Sequence, residues 1–408
     1  MPRRQRLPAE VLVNRQNDAT RPLDVVLFGA TGFVGTLTAE YLAAHAPAGL
    51  RWALAGRSRT KLEALRERLT AIAPACAELP LVAADADDAG ALAELAASTR
   101  VVASTVGPYI RYGEQLVTAC AEAGTDYADL TGEAEFIDRM YLENDARARE
   151  TGARLVHACG FDSVPHDLGA WFTVNQLPEG VPLSVDGFVR TNAVFSGGTF
   201  ASALTAIGRG PQMLAAARER RLHEPRLVGR RVRTPSGSPH FNGAVGTWAL
   251  PLPTVDPAIV GRSARALERY GPDFAYRHFA SVRTLPMALG APVAIGSLVA
   301  AAQVEGVREW LMGRYEAGQG PDEARRGRSW FTVRFVGEGG GRRVFTEVSG
   351  GDPGYGETAK MLAESAVCLA LDELPETSGQ VTTAVAMGDA LVDRLTAAGL
   401  RFRVAAVR

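Results

Sequence analysis

The sequence predicts an α/β protein: a doubly wound parallel sheet, followed by a second, α+β domain whose sheet is mostly antiparallel. Three observations predict it. Short apolar runs alternate with helical patterns from Val25 to Ala158, and the first run ends in a glycine-rich turn. The rhythm then breaks after Gly160-Phe161-Asp162-Ser163-Val164-Pro165.

The apolar runs are Val25–Phe28, Trp52–Ala55, Leu81–Ala84, Val101–Ser104, Tyr127–Asp129 and Leu155–Ala158. Helical patterns separate them at Phe33–His45, Lys61–Leu69, Ala89–Ala97, Gly113–Ala123 and Phe136–Thr151. Right-handed crossovers turn such an alternation into a parallel sheet covered on both faces. Ligands bind these sheets at the carboxyl ends of the strands. That rule points to Gly29–Gly35, Gly56–Ser58, Asp85–Asp88, Thr105–Tyr112, Asp129–Glu133 and Gly160–His166.

The first turn carries the sharpest signal. Leu23 to Gly35 reads LDVVLFGATGFVG. Gly29 permits a tight turn, Gly32 removes a side chain that would block phosphates, and Gly35 allows close helix–strand packing. The following helix offers its amino-terminal amides and positive dipole end to an anion. A dinucleotide pyrophosphate fits this Rossmann-type turn, with Gly29, Thr31, Gly32, Phe33, Val34 and Gly35 as its cradle. The next strand selects the dinucleotide. Its turn holds Gly56, Arg57, Ser58 and Arg59, with no acid for a ribose 2′-hydroxyl. A guanidinium and a hydroxyl suit a 2′-phosphate instead, so Arg57 and Ser58 predict NADPH; Ser58 also suits a helix N-cap. Asp85, Thr105, Val106, Gly107 and Pro108 complete the expected cofactor contacts.

Composition bounds the rest. The 408 residues are 47% apolar, enough for two domains. A net charge of −1 argues against a nucleic-acid binder. Cys76, Cys120, Cys159 and Cys368 lack C-x-x-C or metal-ligand spacing and read as reduced thiols of a cytoplasmic protein. Residues 1–20 begin MPRRQRLPAE with no apolar run behind, which reads as a flexible tail rather than a secretory signal. Leu285–Ala302 is almost wholly apolar, but Pro286, Gly290, Pro292 and Gly296 interrupt it. A buried or partly exposed helix is expected there, with peripheral attachment to a lipid surface as the alternative and no transmembrane span.

Three domains and a tail follow: the tail 1–20, a dinucleotide-binding domain 21–165, an α+β substrate and dimer domain 166–350, and a helical segment 351–408 packing back on the first domain. Strands are expected at Ser184–Thr191, Arg328–Val336 and Arg343–Ser349, with a turn at Ser196-Gly197-Gly198 and a hairpin at Gly339–Gly341. Gly350–Gly354 ends that sheet before a long helix near Tyr355–Asp372.

Tyr109, beside the expected nicotinamide, is a candidate proton donor or a tyrosine packed under its loop. Thr131 and Glu133 are placed to orient the nicotinamide amide or to cap. His157 and His166, near the domain junction, are candidate acid–base groups or buried structural histidines. His223, His240 and His278 have no ligand spacing, so no metal is expected. No Tyr-x-x-x-Lys pair occurs, which argues against the short-chain dehydrogenases. Arg209, Arg218, Arg220, Arg221, Arg226, Arg230, Arg231 and Arg233 face only Glu219 and Glu224. That local excess suits an acidic carrier protein or acyl-CoA phosphates, or else a solvated basic face.

In order, VLFGATGFVG, LAGRSRTKL, STVGPYIRYGEQLVTACAEAGTDYADLTGE, HACGFDSVPHDLG, FTVRFVGEG and SGGDPGYGETAKMLAES resemble the saccharopine dehydrogenase-like oxidoreductases. Within them the chain is similar to the trans-acting enoyl reductases of polyketide and lipid assembly. The resemblance implies an NADP-binding Rossmann domain, a saccharopine-reductase-like second domain, and a homodimer. It implies reduction of a carbon–carbon double bond in a small-molecule or carrier-bound acyl substrate. Two other readings stay open: imine reduction of saccharopine-dehydrogenase type, with Arg111 and Arg190 for carboxylates, and a non-catalytic NADP-binding module.

Overall fold

In the computed structural model, which describes residues 21–193, 208–290, 297, 306 and 322–408, the chain divides into two units. One holds the chain up to Gly160 with Ala216–His223 and Tyr355–Arg394; the other holds Phe161–Ala215, Glu224–Gly354 and Leu395–Arg408. The expected tail, the turn at Ser196-Gly197-Gly198 and most of Leu285–Ala302 lie outside the described residues.

The first unit is built on β1 (Leu23–Phe28), buried over five of its six residues. It is buried because parallel partners flank it, with Val25 level with Trp52 of β2 (Trp52–Gly56) and Val101 of β4 (Thr99–Ser104). A strand covered on both faces must be a continuous apolar run, as Val25-Val26-Leu27-Phe28 is. The intervening elements are α1 (Phe33–His45), α2 (Arg59–Ile72), β3 (Leu81–Ala83) and α3 (Ala89–Ser98). Beyond β4 come the single turn α4 (Tyr109–Tyr112), α5 (Glu114–Ala123), β5 (Asp126–Asp129), α6 (Ala134–Thr151) and β6 (Arg154–Val156). A strand from far downstream, β14 (Gly379–Val381), completes the order β14-β6-β5-β4-β1-β2-β3. The chain reverses direction across the sheet between β1 and β4, which is where ligands bind in this architecture.

The helix Gly356–Leu371 returns to this unit and packs on α1. Tyr355 meets the Phe33 ring edge-on at 4.9 Å, and the Tyr41 hydroxyl donates to Glu364 at 2.7 Å. The segment 351–408 is not all helical, however. Its end, Arg401–Val407, is a strand of the second unit's sheet. Five of its seven residues are exposed, so it carries no alternating apolar face to betray it in sequence. Backbone pairing to a neighbour and the Arg403–Glu347 contact at 2.9 Å hold it instead.

The second unit contains α7 (Val164–Val174), β7 (Leu183–Thr191), β8 (Arg231–Arg233), β9 (His240–Asn242) and β10 (Thr247–Pro251). It continues with α9 (Asp256–Ala266), β11 (Asp273–Val282), β12 (Phe331–Gly339), β13 (Arg342–Gly350) and β15 (Arg401–Val407); α8 (Gly210–His223) precedes β8 and ends in the first unit. The sheet order is β15-β13-β12-β7-β11-β10-β9, with β8 pairing β11. Most pairs are antiparallel; β11 with β7 and with β8 are parallel. The expected hairpin is β12–β13, turning on Gly340 and Gly341 with φ of +58° and +76°. Two consecutive positive φ values define the tight turn that matches strand twist, and glycine adopts them without strain. Helix α7 lies against β12 and β13, and a Cβ on Gly169 would stand 2.3 Å from the Phe335 ring.

Candidate functional site

In the first unit the glycine turn is as close-packed as its spacing requires. Gly29 has φ +82°, and a Cβ there would meet Val106 Cγ2 at 2.6 Å and Thr105 Oγ1 at 2.8 Å. A Cβ on Gly35 would stand 2.1 Å from the Gly29 carbonyl oxygen. The Thr105 hydroxyl donates to that same carbonyl at 3.0 Å, locking the end of β4 to the turn after β1. Helix α1 starts at Gly32 with no side-chain cap and no acid in its first turn. Uncapped amides and a positive dipole end face the turn, so a phosphate finds donors there. Thr31, Phe33 and Val34 belong to this same turn.

The second turn bears on the 2′-phosphate. Ser58 caps α2, accepting from the Lys61 amide at 3.4 Å. Arg59 is paired with Glu63 at 3.1 Å. Arg57 is exposed and has no partner among the described residues. Its guanidinium is therefore available to a ligand phosphate. Asp85 is exposed after β3, where its side chain accepts from the Asp87 amide at 3.2 Å.

The loop after β4 is held from below. Glu133 accepts from the amides of Tyr109 at 3.0 Å and Ile110 at 2.8 Å, capping α4. Glu133 and Thr131 are both buried, and the Thr131 hydroxyl accepts from the Glu133 amide at 3.1 Å. Capping is thus what these two residues visibly do. The Tyr109 hydroxyl is buried, donates to Ser104 O at 3.0 Å and accepts from the Leu130 amide at 3.2 Å. Burial, with the Asp129 and Glu133 charges, pushes its pKa well above the ordinary phenol value. Tyr109 therefore sits packed under the Val106-Gly107-Pro108 loop. His157 is equally enclosed, with Nδ1 at 2.7 Å from Asp129 Oδ2. Asp129 Oδ1 also accepts from Ala158 and Thr131 at 3.0 Å each. That grip holds Ala158 at φ +61°, a left-handed conformation that costs an L-residue about 1–2 kcal/mol.

Comparison with known proteins agrees with this geometry. The family model of the saccharopine dehydrogenase NADP-binding domain matches residues 25–156. A putative trans-acting enoyl reductase of Mycobacterium tuberculosis is 39% identical over 93% of this chain and 97% of its own. The trans-acting enoyl reductase of Mycobacterium ulcerans is 34% identical over 94% of this chain and 98% of its own. The chain belongs to the saccharopine dehydrogenase-like oxidoreductases, with the trans-acting enoyl reductases. It is an NADP-dependent oxidoreductase, and NADPH is its cofactor. Apo saccharopine dehydrogenase (L-Glu forming) from Saccharomyces cerevisiae shares the fold, with a TM-score of 0.55 and 14% identity over 94% of this chain and 100% of that one.

In this member of the family, His166 lies in the second unit, in the first turn of α7, and is 2% exposed. The fold brings it to two residues that are distant in sequence, Asp256 at the start of α9 and His278 on β11. His166 Nδ1 lies 3.6 Å from Asp256 Oδ1, and His278 Nε2 lies 3.5 Å from Asp256 Oδ2. Burial, with His278 beside it, pushes the His166 pKa well down; burial alone pushes His278 to about 3. Asp256 is raised well above the carboxylate range, mainly by burial and further by Asp162 and Asp167. Spacing along the chain could not reveal this trio, because each member comes from a separate element.

The remaining candidates separate cleanly. Arg111 lies over the Tyr112 ring at 5.0 Å and Arg190 over the Trp330 ring at 5.2 Å. Within the Arg-rich stretch, Arg220 is buried, paired with Asp138 at 3.2 Å and donating to Gln380 at 2.6 Å. Arg230 donates to the Ala264 and Leu267 carbonyls at 2.8 Å each, closing the end of α9. Arg233 pairs with Asp273 at 2.8 Å. The segment is therefore not uniformly a solvated face. No helix among the described residues is long and apolar enough to cross a membrane.

Proposed function

We propose that this oxidoreductase reduces the carbon–carbon double bond of an α,β-unsaturated acyl thioester of polyketide or lipid type, presented on an acidic acyl carrier protein. The observation that carries this reading is identity of 34–39% along almost the whole chain to proteins named trans-acting enoyl reductases. When bound, NADPH supplies the hydride from its nicotinamide. The glycine turn brings backbone amides to the phosphates, Arg57 meets the 2′-phosphate, and Glu133 braces the loop that follows β4. Arg226 and Arg231, whose exposed side chains have no partner among the described residues, suit an acidic carrier. A homodimer belongs to the same reading.

The test uses NADPH deuterated at nicotinamide C4, with a pool of enoyl thioesters and amino-acid-derived imines. Mass spectrometry then locates the label. Deuterium on an acyl β-carbon supports enoyl reduction. Label on the carbon next to nitrogen transfers the case to imine reduction. Cofactor binding with no label in either pool, carrier-bound substrates included, speaks for a binding module.

A further inference from the structure

The second unit holds a buried polar cluster formed by His166, Asp256 and His278. His166 Nδ1, Asp256 Oδ1 and His278 Nε2 are all buried, and none has a hydrogen-bond partner. An orphaned buried polar atom gives up its hydrogen bonds to water with nothing in return. Three converging on one point call for an explanation.

Direct pairing does not provide one. The separations of 3.6 Å and 3.5 Å exceed the 2.7–3.2 Å span of an N–H···O bond. No lysine or arginine pairs with Asp256 among the described residues; its two ion-pair contacts are His166 and His278.

The geometry points to a divalent transition-metal site formed by His166, Asp256 and His278. One donor atom from each lies within 4.8 Å of the others. Ligands at about 2.1 Å from a tetrahedral zinc ion stand roughly 3.4 Å apart; each imidazole nitrogen here faces its own oxygen of Asp256, at 3.6 Å and 3.5 Å. Two neutral imidazoles and one carboxylate form a donor set that suits Zn²⁺, Fe²⁺ or Co²⁺ rather than Mg²⁺ or Ca²⁺, which prefer all-oxygen shells. Three protein ligands also leave a coordination position open.

The outer shell is in place as well. The Tyr276 hydroxyl lies 3.0 Å from His278 Nδ1, orienting the ring so that Nε2 faces the cluster. The Thr254 hydroxyl donates to Asp256 Oδ2. Second-contact groups of this kind fix the tautomer and direction of a metal ligand.

The experiment loads the full-length protein with Zn²⁺ or Co²⁺ after chelator treatment, and measures stoichiometry and X-ray absorption. One ion per chain with two imidazoles and one carboxylate oxygen in its first shell is the expected result. No bound ion, or a first shell without two imidazoles, overturns the proposal, and neither outcome depends on a variant. His278→Gln, confirmed folded by circular dichroism, should not bind at concentrations that saturate the parent chain. Tyr276→Phe should weaken binding about tenfold to a hundredfold. Unchanged affinity in a folded His278→Gln protein would also overturn it. The exposed His223→Gln serves as the control and should bind as the parent does.

Discussion

Glu133 holds the Tyr109 amide at 3.0 Å, so the first turn after the β4 loop is fastened to the end of β5 by one buried carboxylate. Its other oxygen takes the Ile110 amide. Losing a capping side chain costs about 0.5–2 kcal/mol. Glu133→Ala is therefore expected to lower the melting temperature and to weaken NADPH binding, because the loop Thr105–Pro108 loses its brace. Thermal denaturation and cofactor titration test this together; a stability loss with unchanged NADPH affinity would detach the brace from the cofactor.

Tyr109→Phe separates packing from proton transfer. The hydroxyl already serves Ser104 and Leu130. Removing it should cost about 0.5–1.5 kcal/mol of stability and change kcat by less than about threefold. A positioned acid contributes about 10²- to 10⁴-fold, so a kcat loss of that size, with folding intact, would restore Tyr109 as the donor.

Arg57→Ala tests the choice of dinucleotide. With Arg59 tied to Glu63, Arg57 is the guanidinium in this turn that a 2′-phosphate can recruit. NADPH binding should weaken about tenfold to a hundredfold while NADH binding stays within about twofold, since a charge-assisted contact is lost from only one of them. Equal effects on both cofactors would remove Arg57 from the 2′-phosphate site.

Gly35→Ala should be costly although it adds one methyl group. The new Cβ would stand 2.1 Å from a backbone oxygen of the turn, which cannot rotate away. A loss of about 1–3 kcal/mol is expected from such overpacking, with NADPH affinity falling in step. A variant as stable as the parent chain would show that α1 can slide along β1.

The arginines divide by environment. Arg220→Ala breaks a buried pair with Asp138 and should cost about 3–5 kcal/mol. Arg218→Ala should stay within about 0.5 kcal/mol of the parent, being an ordinary surface change. If the carrier reading holds, charge reversal at Arg226 and Arg231 raises KM for a carrier-linked substrate more than for the free thioester. Equal effects on both substrates would argue against the carrier.

Much of the first unit was legible because its determinants are local. Val25–Phe28 must be buried on both sides, Gly29 and Gly35 answer to their immediate neighbours, and the missing acid beside Arg57 is a fact of one turn. The hairpin at Gly340–Gly341 was legible for the same reason. Other features were not. Thr131 and Glu133 read equally as nicotinamide-orienting or capping residues until their hydrogen bonds were seen, and the contacts of the Tyr109 hydroxyl with Ser104 and Leu130 left no mark in the sequence. The strand Arg401–Val407 is specified by backbone pairing at a sheet edge, which leaves no apolar pattern.

By itself the sequence determined the strand–helix order, the phosphate-binding turn and the cofactor, since each depends on residues within a few positions of one another. Tertiary structure alone decided that β14 would extend the first sheet, that Arg220 would be buried, and that His166, Asp256 and His278 would converge. Those outcomes rest on contacts between residues up to 243 positions apart, such as Gln380 with Ile137. No local pattern encodes such distances; only the packing of separate elements brings the groups together.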